Sequence, residues 1–247
     1  MAIDLPILLR AYAAGLFPMA DDRAAQSVFW VQPEKRAILP LDGFHLSHSL
    51  RKLIRADRYA VTANRAFERV IQLCAESVAD RPTTWINGDI EEAFLRLHKL
   101  GLAHSIECWE QEAGRPRLVG GLYGLAMGRA FFGESMFSRA DNASKVAMAW
   151  LVARMRVGRY TLLDCQFMTS HLASLGAVEV GADAYSALLD VALAPGEGEP
   201  ADFTALDSLA LPSDSLPPPA RPALDSTFTV SSPVSGQLIA QLITDKS

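Results

Sequence analysis

The 247-residue sequence has few residues that could hold a metal ion or form a disulfide framework. Its three cysteines, Cys74, Cys108 and Cys165, lie far apart and match no ligand spacing. The five histidines add none, because His45 and His48 have no cysteine or carboxylate at a ligand spacing. We therefore expect no metal site. Reduced thiols also suit a cytoplasmic protein.

Long apolar runs are missing as well, since none reaches the roughly 18 residues that a membrane span needs. The first 20 residues are apolar, but Asp4 precedes any positive charge and Arg10 interrupts the run. That order is wrong for a signal peptide. We expect no membrane association and an ordinary first helix.

Two phosphate-binding motifs are absent from the sequence. There is no G-x-x-x-x-G-K-[ST] segment, which excludes a P-loop NTPase. The glycines between Gly120 and Gly124 lie between two predicted strands, whereas a dinucleotide fingerprint joins a strand to a helix.

Negative charge is concentrated in the last fifth of the chain. From Gly196 onward there are two basic and seven acidic residues, which account for the whole net charge of −5. The remaining body is neutral overall and can still carry a basic patch. Because half of the 14 prolines also lie beyond Pro195, we predict that residues 196–247 form a disordered tail.

The hydrophobic periodicity of the body predicts a mixed α/β layer, of the α/β (α+β) class. Two strands are separated by Gly124, and the segments after them alternate between helix and strand. The predicted elements in order are strands 118–123 and 127–132, helix 142–157, strand 160–166, helix 169–175 and strand 177–180.

Five arginines fall on two predicted helices, one beginning after Ser47 or Ser49 and one over residues 64–76. Their spacing places the first three on one face and the last two one turn apart: Arg51, Arg55, Arg58, Arg65 and Arg69. Such a face is either simply exposed to solvent or a surface that binds the phosphates of a nucleic-acid backbone.

The strand predicted at 160–166 carries an acid and an amide two residues apart. Because side chains alternate along a strand, Asp164 and Gln166 should share one face, with Cys165 on the other. Such a pair can hold and deprotonate an amine, or it can satisfy buried backbone groups. The spacing alone favours the structural role.

Several longer segments together resemble the bacterial leucyl/phenylalanyl-tRNA–protein transferase family, the aminoacyltransferases of the N-end rule pathway. The resemblance runs from about residue 10 to residue 180 and has its most specific matches at YAAGLFPM (12–19), TWI (84–86), GLAHSIE (101–107), GESMFS (133–138), NASK (142–145), DCQ (164–166) and HLASLGA (171–177).

The resemblance implies a fold, a reaction and partners. The fold would be a GNAT-like acyltransferase catalytic domain at residues 62–195 behind a smaller N-terminal domain at 1–61. The enzyme would transfer Leu or Phe, and Met less well, from aminoacyl-tRNA to the α-amine of proteins beginning with Arg or Lys, marking them for degradation. It would need no cofactor, and we expect a cytoplasmic monomer.

The resemblance also implies catalytic roles for Asp164 and Gln166. Aminolysis of an ester needs a neutral amine and a route for its proton. We hypothesise that Gln166 orients the amine and that Asp164 receives or relays the proton. The alternative is a substrate-assisted route through the terminal hydroxyl of the tRNA.

By the same resemblance, Leu122, Phe131 and Met136 would line an apolar amino-acid pocket. The alternative is that these three residues are ordinary members of the hydrophobic core. Trp30 and Trp85 are the candidates for stacking on the 3′ adenosine.

Glu134 would be the acidic partner of the acceptor's side chain or amine, or else a brace for the pocket loop. The five arginines become candidates for contacting the tRNA backbone.

Two other functions are alternatives to this transferase activity. A CoA-dependent GNAT acyltransferase would need a glycine-rich turn at a helix start, whereas here the helix opens with Asp141 and Asn142. A non-catalytic RNA-binding module that kept the fold is the second alternative.

Overall fold

The computed structural model describes residues 2–77, 83–112, 114–195, 199–209 and 232–245. A seven-stranded mixed sheet has the order β4-β5-β6-β7-β8-β3-β9, and β1 and β2 form a separate two-stranded sheet. The strands are β1 Phe17–Met19, β2 Phe29–Val31, β3 Lys35–Ile38, β4 Ala60–Ala63, β5 Ala103–Glu112, β6 Arg115–Met127, β7 Ala130–Ser138, β8 Leu162–Gln166 and β9 Val178–Gly181. The α-helices are α1 Leu5–Ala13, α2 His48–Arg55, α3 Phe67–Ala75, α4 Gly88–Lys99, α5 Ala143–Val157, α6 Ser170–Ser174, α7 Ala182–Leu193 and α8 Gly236–Thr244. This arrangement confirms the predicted mixed α/β class.

The long hairpin of β6 and β7 differs from the prediction, which placed a turn at Gly124. Gly124 lies inside β6, at a register shift opposite Gly133, and the chain turns instead after Met127, where Gly128 has a φ of +57°. A Cβ atom at Gly124 would lie 2.2 Å from the carbonyl oxygen of Phe132. The glycine therefore serves close packing within the strand and does not end it.

Helix α5 links the only parallel pair among the described strands, β7 and β8. It is buried along most of its length, and its predicted range is confirmed to within one residue. Gly120 of β6 lets the start of α5 come close, because a Cβ atom there would lie 2.5 Å from the Cβ atom of Ala143. The glycine at position 120 thus allows the start of α5 to pack directly against β6.

The two helices predicted to carry arginines are shorter than expected. Ser47 caps α2, as predicted, through a 3.2 Å bond from the N–H of Leu50. The chain then leaves helical geometry at Asp57 and Asn64, which have φ values of +46° and +60°. Arg51 and Arg55 lie one turn apart on α2, as predicted. Arg58 and Arg65 lie outside α2 and α3, so the predicted helical spacing is wrong for Arg58 and for the pair Arg65 and Arg69.

The boundary predicted between residues 61 and 62 falls inside β4. Moreover, β3 lies between β8 and β9 in the main sheet. Residues 1–61 therefore contribute β3 and part of β4 to the sheet that the rest of the chain builds.

The prediction of a disordered tail is wrong for two of its stretches. Phe203 and Leu206 are buried against the body. Helix α8 packs on α2 and α5, with Ile239 fully buried. A mean composition over residues 196–247 hides these short apolar segments. The rest of the predicted tail lies outside the described residues. Within the described ranges, no helix is long and apolar enough to cross a membrane.

Candidate active site

A cavity of about 630 Å³ opens where β7 and β8 separate. The two strands pair only through Ala130–Phe132 and Leu162–Asp164. Beyond that point their residues, 133–138 and 165–167, form two walls of the cavity, and the start of α5 forms another. Five of the predicted site residues line it, namely Trp85, Leu122, Glu134, Met136 and Gln166.

The inner wall of the cavity is apolar. Leu122 and Met136 contribute to it as predicted, and Met148 and Leu151 of α5 join them. The two α5 residues were not predicted, because this helix is apolar on nearly every side and its periodicity singles out no face. Phe131 was also predicted to line the pocket, but it is fully buried and does not line the cavity.

Glu134 is the carboxylate of the cavity wall. Its side chain is only 8% exposed, and its Oε1 atom accepts hydrogen bonds from Tyr12 Oη at 2.8 Å and Gln166 Nε2 at 3.3 Å. Its Oε2 atom is buried and has no hydrogen-bond partner in the described parts of the chain. Burial raises the pKa of Glu134 to about 8, and the nearby charge of Asp164 adds to the increase.

Asp164 lies in a different environment. It is fully buried and is not part of the cavity wall. Its Oδ1 accepts from Arg36 Nε and the main-chain N–H of Gln166, both at 2.9 Å. Its Oδ2 accepts from Arg36 Nη2 at 2.5 Å and Tyr185 Oη at 2.8 Å. Four donors therefore saturate this carboxylate.

The predicted shared face of Asp164 and Gln166 is wrong. Gln166 has a φ of +57°, and the register with β3 shifts so that Ala37 pairs with Gln166 but Ile38 pairs with Asp164. This irregularity turns both Cys165 and Gln166 towards the cavity. The amide of Gln166 consequently meets Glu134, and the predicted side-chain relay to Asp164 does not exist in this structure.

Arg36 holds this network together and was missed by the sequence analysis. It is only 1% exposed, and its guanidinium lies 4.7 Å from the ring centre of Phe17 and 4.5 Å from that of Tyr185. It also donates to the carbonyl of Gly15 at 2.9 Å. The available signal was an arginine next to the apolar run Ala37–Leu39.

Aromatic side chains surround the mouth of the cavity. Trp85 lines it, as expected. Trp30 lies on β2 of the small sheet, is 37% exposed and does not line the cavity. Phe167 also lines the cavity, with 46% of its surface exposed, and contacts Phe17 edge to face at 5.7 Å. Its position after β8 gave no sequence signal of its own.

Comparison with known proteins identifies the family to which this chain belongs. A family model described as leucyl/phenylalanyl-tRNA protein transferase matches residues 38–190, and the model of that family's N-terminal domain matches residues 1–34. The chain belongs to the leucyl/phenylalanyl-tRNA–protein transferase family. It is therefore an aminoacyltransferase, and the resemblance seen in the sequence is confirmed.

Relatives named leucyl/phenylalanyl-tRNA–protein transferase match most of the chain. The Rhizorhabdus wittichii protein is 56% identical over 98% of both chains. The Zymomonas mobilis protein is 57% identical over 84% of this chain and 77% of its own length. A solved structure titled "Crystal structure of FemX" aligns with a TM-score of 0.46 and 10% identity over 71% of this chain and 66% of its own.

The five arginines predicted to form a basic face differ in their surroundings. Arg51, Arg55 and Arg65 are exposed, and no carboxylate of the described residues lies within ion-pair distance of them. Arg58 is paired with Glu110 and Arg69 is 3.9 Å from Glu76. Within the described residues, the predicted set thus contains three arginines without an ion-pair partner and two that share a glutamate with another arginine, Arg117 or Arg139.

Proposed function

We propose that this enzyme transfers leucine or phenylalanine, and methionine less readily, from aminoacyl-tRNA to the α-amine of proteins that begin with arginine or lysine. The observation that carries the proposal is the cavity itself, which joins an apolar inner wall to a buried pair of polar side chains, Glu134 and Gln166. An apolar wall suits the amino-acid side chain, and the polar pair suits the reacting amine and ester.

The amino-acid side chain would lie against Leu122, Met136, Met148 and Leu151. Unbranched methionines adapt to ligands of different shape, which suits both a branched leucine and a planar phenylalanine. The volume of about 630 Å³ is typical of small-ligand sites. We propose that the ester is presented at the polar end of this wall.

The 3′ adenosine of the tRNA would stack on Trp85 at the mouth of the cavity. We propose that Trp30, on the exposed side of the small sheet, contacts a nucleotide outside the cavity. Arg51 and Arg55 of α2 would bind phosphates of the tRNA body, where they add affinity without selecting the amino acid.

Gln166 is proposed to orient the acceptor amine, since its amide is held in place by Glu134. Asp164 is proposed to act as a positioning residue. Its carboxylate fixes the main-chain N–H of Gln166 and is itself fixed by Arg36. The aminoacyl ester is already activated, so the residues need only align the amine, accept its proton and stabilise the developing charge.

The α-amine of the acceptor is proposed to meet Glu134. This residue is the one carboxylate in the described cavity wall, and its Oε1 atom is already occupied by two donors. Its Oε2 atom is left for the incoming amine. The monomeric state and the cytoplasmic location stay predictions.

The decisive experiment measures transfer of labelled phenylalanine from Phe-tRNA to a peptide beginning with Arg and to a matched peptide beginning with Ala. We expect label on the Arg peptide alone. Label on neither peptide with tRNA still bound would favour a non-catalytic RNA-binding module. Failure to bind tRNA would favour a CoA-dependent acyltransferase.

A further inference from the structure

The C-terminal helix α8 lies against α2, the helix that carries Arg51 and Arg55. Among the described elements, α2 packs on α8 more extensively than on any other. Both arginines are exposed to solvent, whereas the apolar residues of the two helices belong to one buried core cluster. These buried residues recur at helical spacing and are Leu50 and Ile54 of α2 and Ile239, Ala240 and Ile243 of α8.

Helix α2 depends on such packing because it is short. It has only eight residues, and isolated helices shorter than about 12–15 residues are marginally stable in water. Intrinsic helix propensity therefore does not hold Arg51 and Arg55 at a fixed spacing, and tertiary contacts must do so. Since α8 supplies the most extensive of these contacts, it supports the geometry of the two arginines.

The start of α8 is attached to the end of α2. The main-chain N–H of Gly236 donates to Asp57 Oδ1 at 2.7 Å, and the N–H of Val61 donates to Ser232 Oγ at 2.7 Å. The two backbones lie so close that a Cβ atom at Gly236 would be 1.9 Å from the carbonyl oxygen of Ile54. A side chain at position 236 would therefore force α8 and α2 apart.

The end of α8 is attached to α5, the helix whose first turn lines the cavity. Arg156 of α5 donates through Nη1 to the main-chain carbonyls of Leu242 and Ile243, at 2.7 and 2.8 Å, and through Nη2 to that of Asp245 at 2.8 Å. An arginine thus satisfies carbonyl groups that a helix end leaves without intrahelical partners. Helix α8 consequently connects the helix that carries the arginines with a helix that forms one wall of the cavity.

We propose that α8 is a positioning element for the tRNA body, because it holds Arg51 and Arg55 at a fixed place relative to the cavity. This inference rests on the function proposed above, in which these two arginines bind phosphates of the tRNA. The effect of α8 is indirect, since residues 232–245 contain no lysine, arginine or histidine that could bind a phosphate.

The first test adds a methyl group at the contact between α8 and α2. Gly236→Ala places a Cβ atom against the Ile54 carbonyl and should move the start of α8 away from α2. Gly88→Ala is the matched control, because Gly88 is also the first residue of a helix and a Cβ atom there would have no neighbour within 4 Å.

Each variant is assayed with two donors of phenylalanine. One is Phe-tRNA, and the other is phenylalanyl-adenosine, which carries the same ester and adenosine but has no tRNA body to contact α2. Gly236→Ala should raise the Kd for tRNA about tenfold at physiological salt and lower the slope of log Kd against log salt by about 2. Its kcat/KM for Phe-tRNA should fall by a similar factor, whereas that for phenylalanyl-adenosine should stay within about twofold of wild type. Gly88→Ala should change neither donor.

A second comparison shows whether α8 acts through the arginines. In protein that already carries Arg51→Glu and Arg55→Glu, Gly236→Ala should raise the Kd for tRNA no further, because the contacts it would misplace are gone. Leu97→Ala controls for a general loss of stability, since Leu97 is fully buried in a different core cluster, and it should leave the Kd for tRNA unchanged.

The other end of α8 provides an independent variant without a steric clash. Arg156→Gln removes the bonds to the last carbonyls of α8 and should weaken tRNA binding with little effect on phenylalanyl-adenosine. Arg159→Gln is its control for the loss of one positive charge, because Arg159 is paired with Glu199 and not with α8. Urea unfolding of each variant verifies that it is folded under the assay conditions.

Three results would overturn the inference. Folded Gly236→Ala and Arg156→Gln proteins could both keep the wild-type Kd and salt slope, which would show that α8 does not position α2. Equal losses with Phe-tRNA and phenylalanyl-adenosine would mean that α8 supports the fold as a whole. Full additivity of Gly236→Ala with the two arginine substitutions would mean that α8 does not act through them.

Failure of the proposed function would be visible separately. Wild type that transfers phenylalanine from neither donor would refute the transferase reaction. Unchanged tRNA binding by the Arg51→Glu, Arg55→Glu protein would refute the proposed tRNA surface, and the inference about α8 would fall with it.

Discussion

The buried ion pair between Arg36 and Asp164 gives a quantitative prediction about stability. Arg36 is 1% exposed and Asp164 is fully buried, and two hydrogen bonds join them. Replacing Arg36 by methionine keeps much of the side-chain volume but leaves a buried carboxylate without its counter-charge. Removing one partner of such a pair typically costs about 3–5 kcal/mol.

The cost should depend on the charge of Asp164. In Asp164→Asn the side chain is neutral, so adding Arg36→Met in that background should cost about 2–3 kcal/mol less than in wild type. The remaining cost reflects contacts of Arg36 that do not involve Asp164, such as the hydrogen bond to the Gly15 carbonyl. A double-mutant cycle isolates the difference.

Urea unfolding of wild type, both single variants and the double variant measures the cycle. An unchanged m-value would show that the same surface unfolds in each. The reasoning fails if Arg36→Met costs less than about 1 kcal/mol, or if the two substitutions are additive, because a saturated buried pair must be strongly coupled.

Three further predictions concern the cavity, the basic surface and the C-terminal helix. Met136→Ala should raise the KM for Leu-tRNA and Phe-tRNA more than it lowers stability in urea, since Met136 lines the cavity; equal losses would indicate core packing instead. Arg51→Glu with Arg55→Glu should lower the slope of log Kd for tRNA against log salt by about 2, because neither exposed arginine has an ion-pair partner among the described residues. Arg58→Gln, whose partner is Glu110, should change the slope less. An unchanged slope in the double variant would exclude α2 as the tRNA surface. Ile239→Ala should destabilise the protein by about 2–5 kcal/mol in urea, as expected for a fully buried isoleucine, and a negligible effect would mean that α8 does not pack on the body in solution.

Local sequence signals predicted the elements around the cavity well. The range of α5 follows from its long run of apolar residues, and β8 follows from a short apolar run before Gln166. The family segments also predicted five of the residues that line the cavity, including Glu134 and Gln166. These features depend on residues close together in the chain, so pattern and motif are sufficient to find them.

The sequence was less informative where distant segments meet. Tyr12 of α1 bonds to Glu134 of β7, and Arg36 of β3 bonds to Asp164 of β8. The two residues of each pair are more than 100 positions apart in the chain, so no local pattern predicts either contact. Similarly, Ile239 belongs to a stretch whose average composition is polar, although it is buried against α2 and α5.

The orientation of Gln166 separates the two sources of information most clearly. Simple strand alternation puts its side chain beside that of Asp164. In the fold, a register shift against β3 and a positive φ turn it towards Glu134 instead. The sequence by itself identified Glu134, Asp164 and Gln166 as polar residues of the site. Only the tertiary structure decided that Glu134 faces the cavity while Asp164 is saturated by Arg36 and Tyr185, because hydrogen-bond partners are chosen by three-dimensional packing and not by position along the chain.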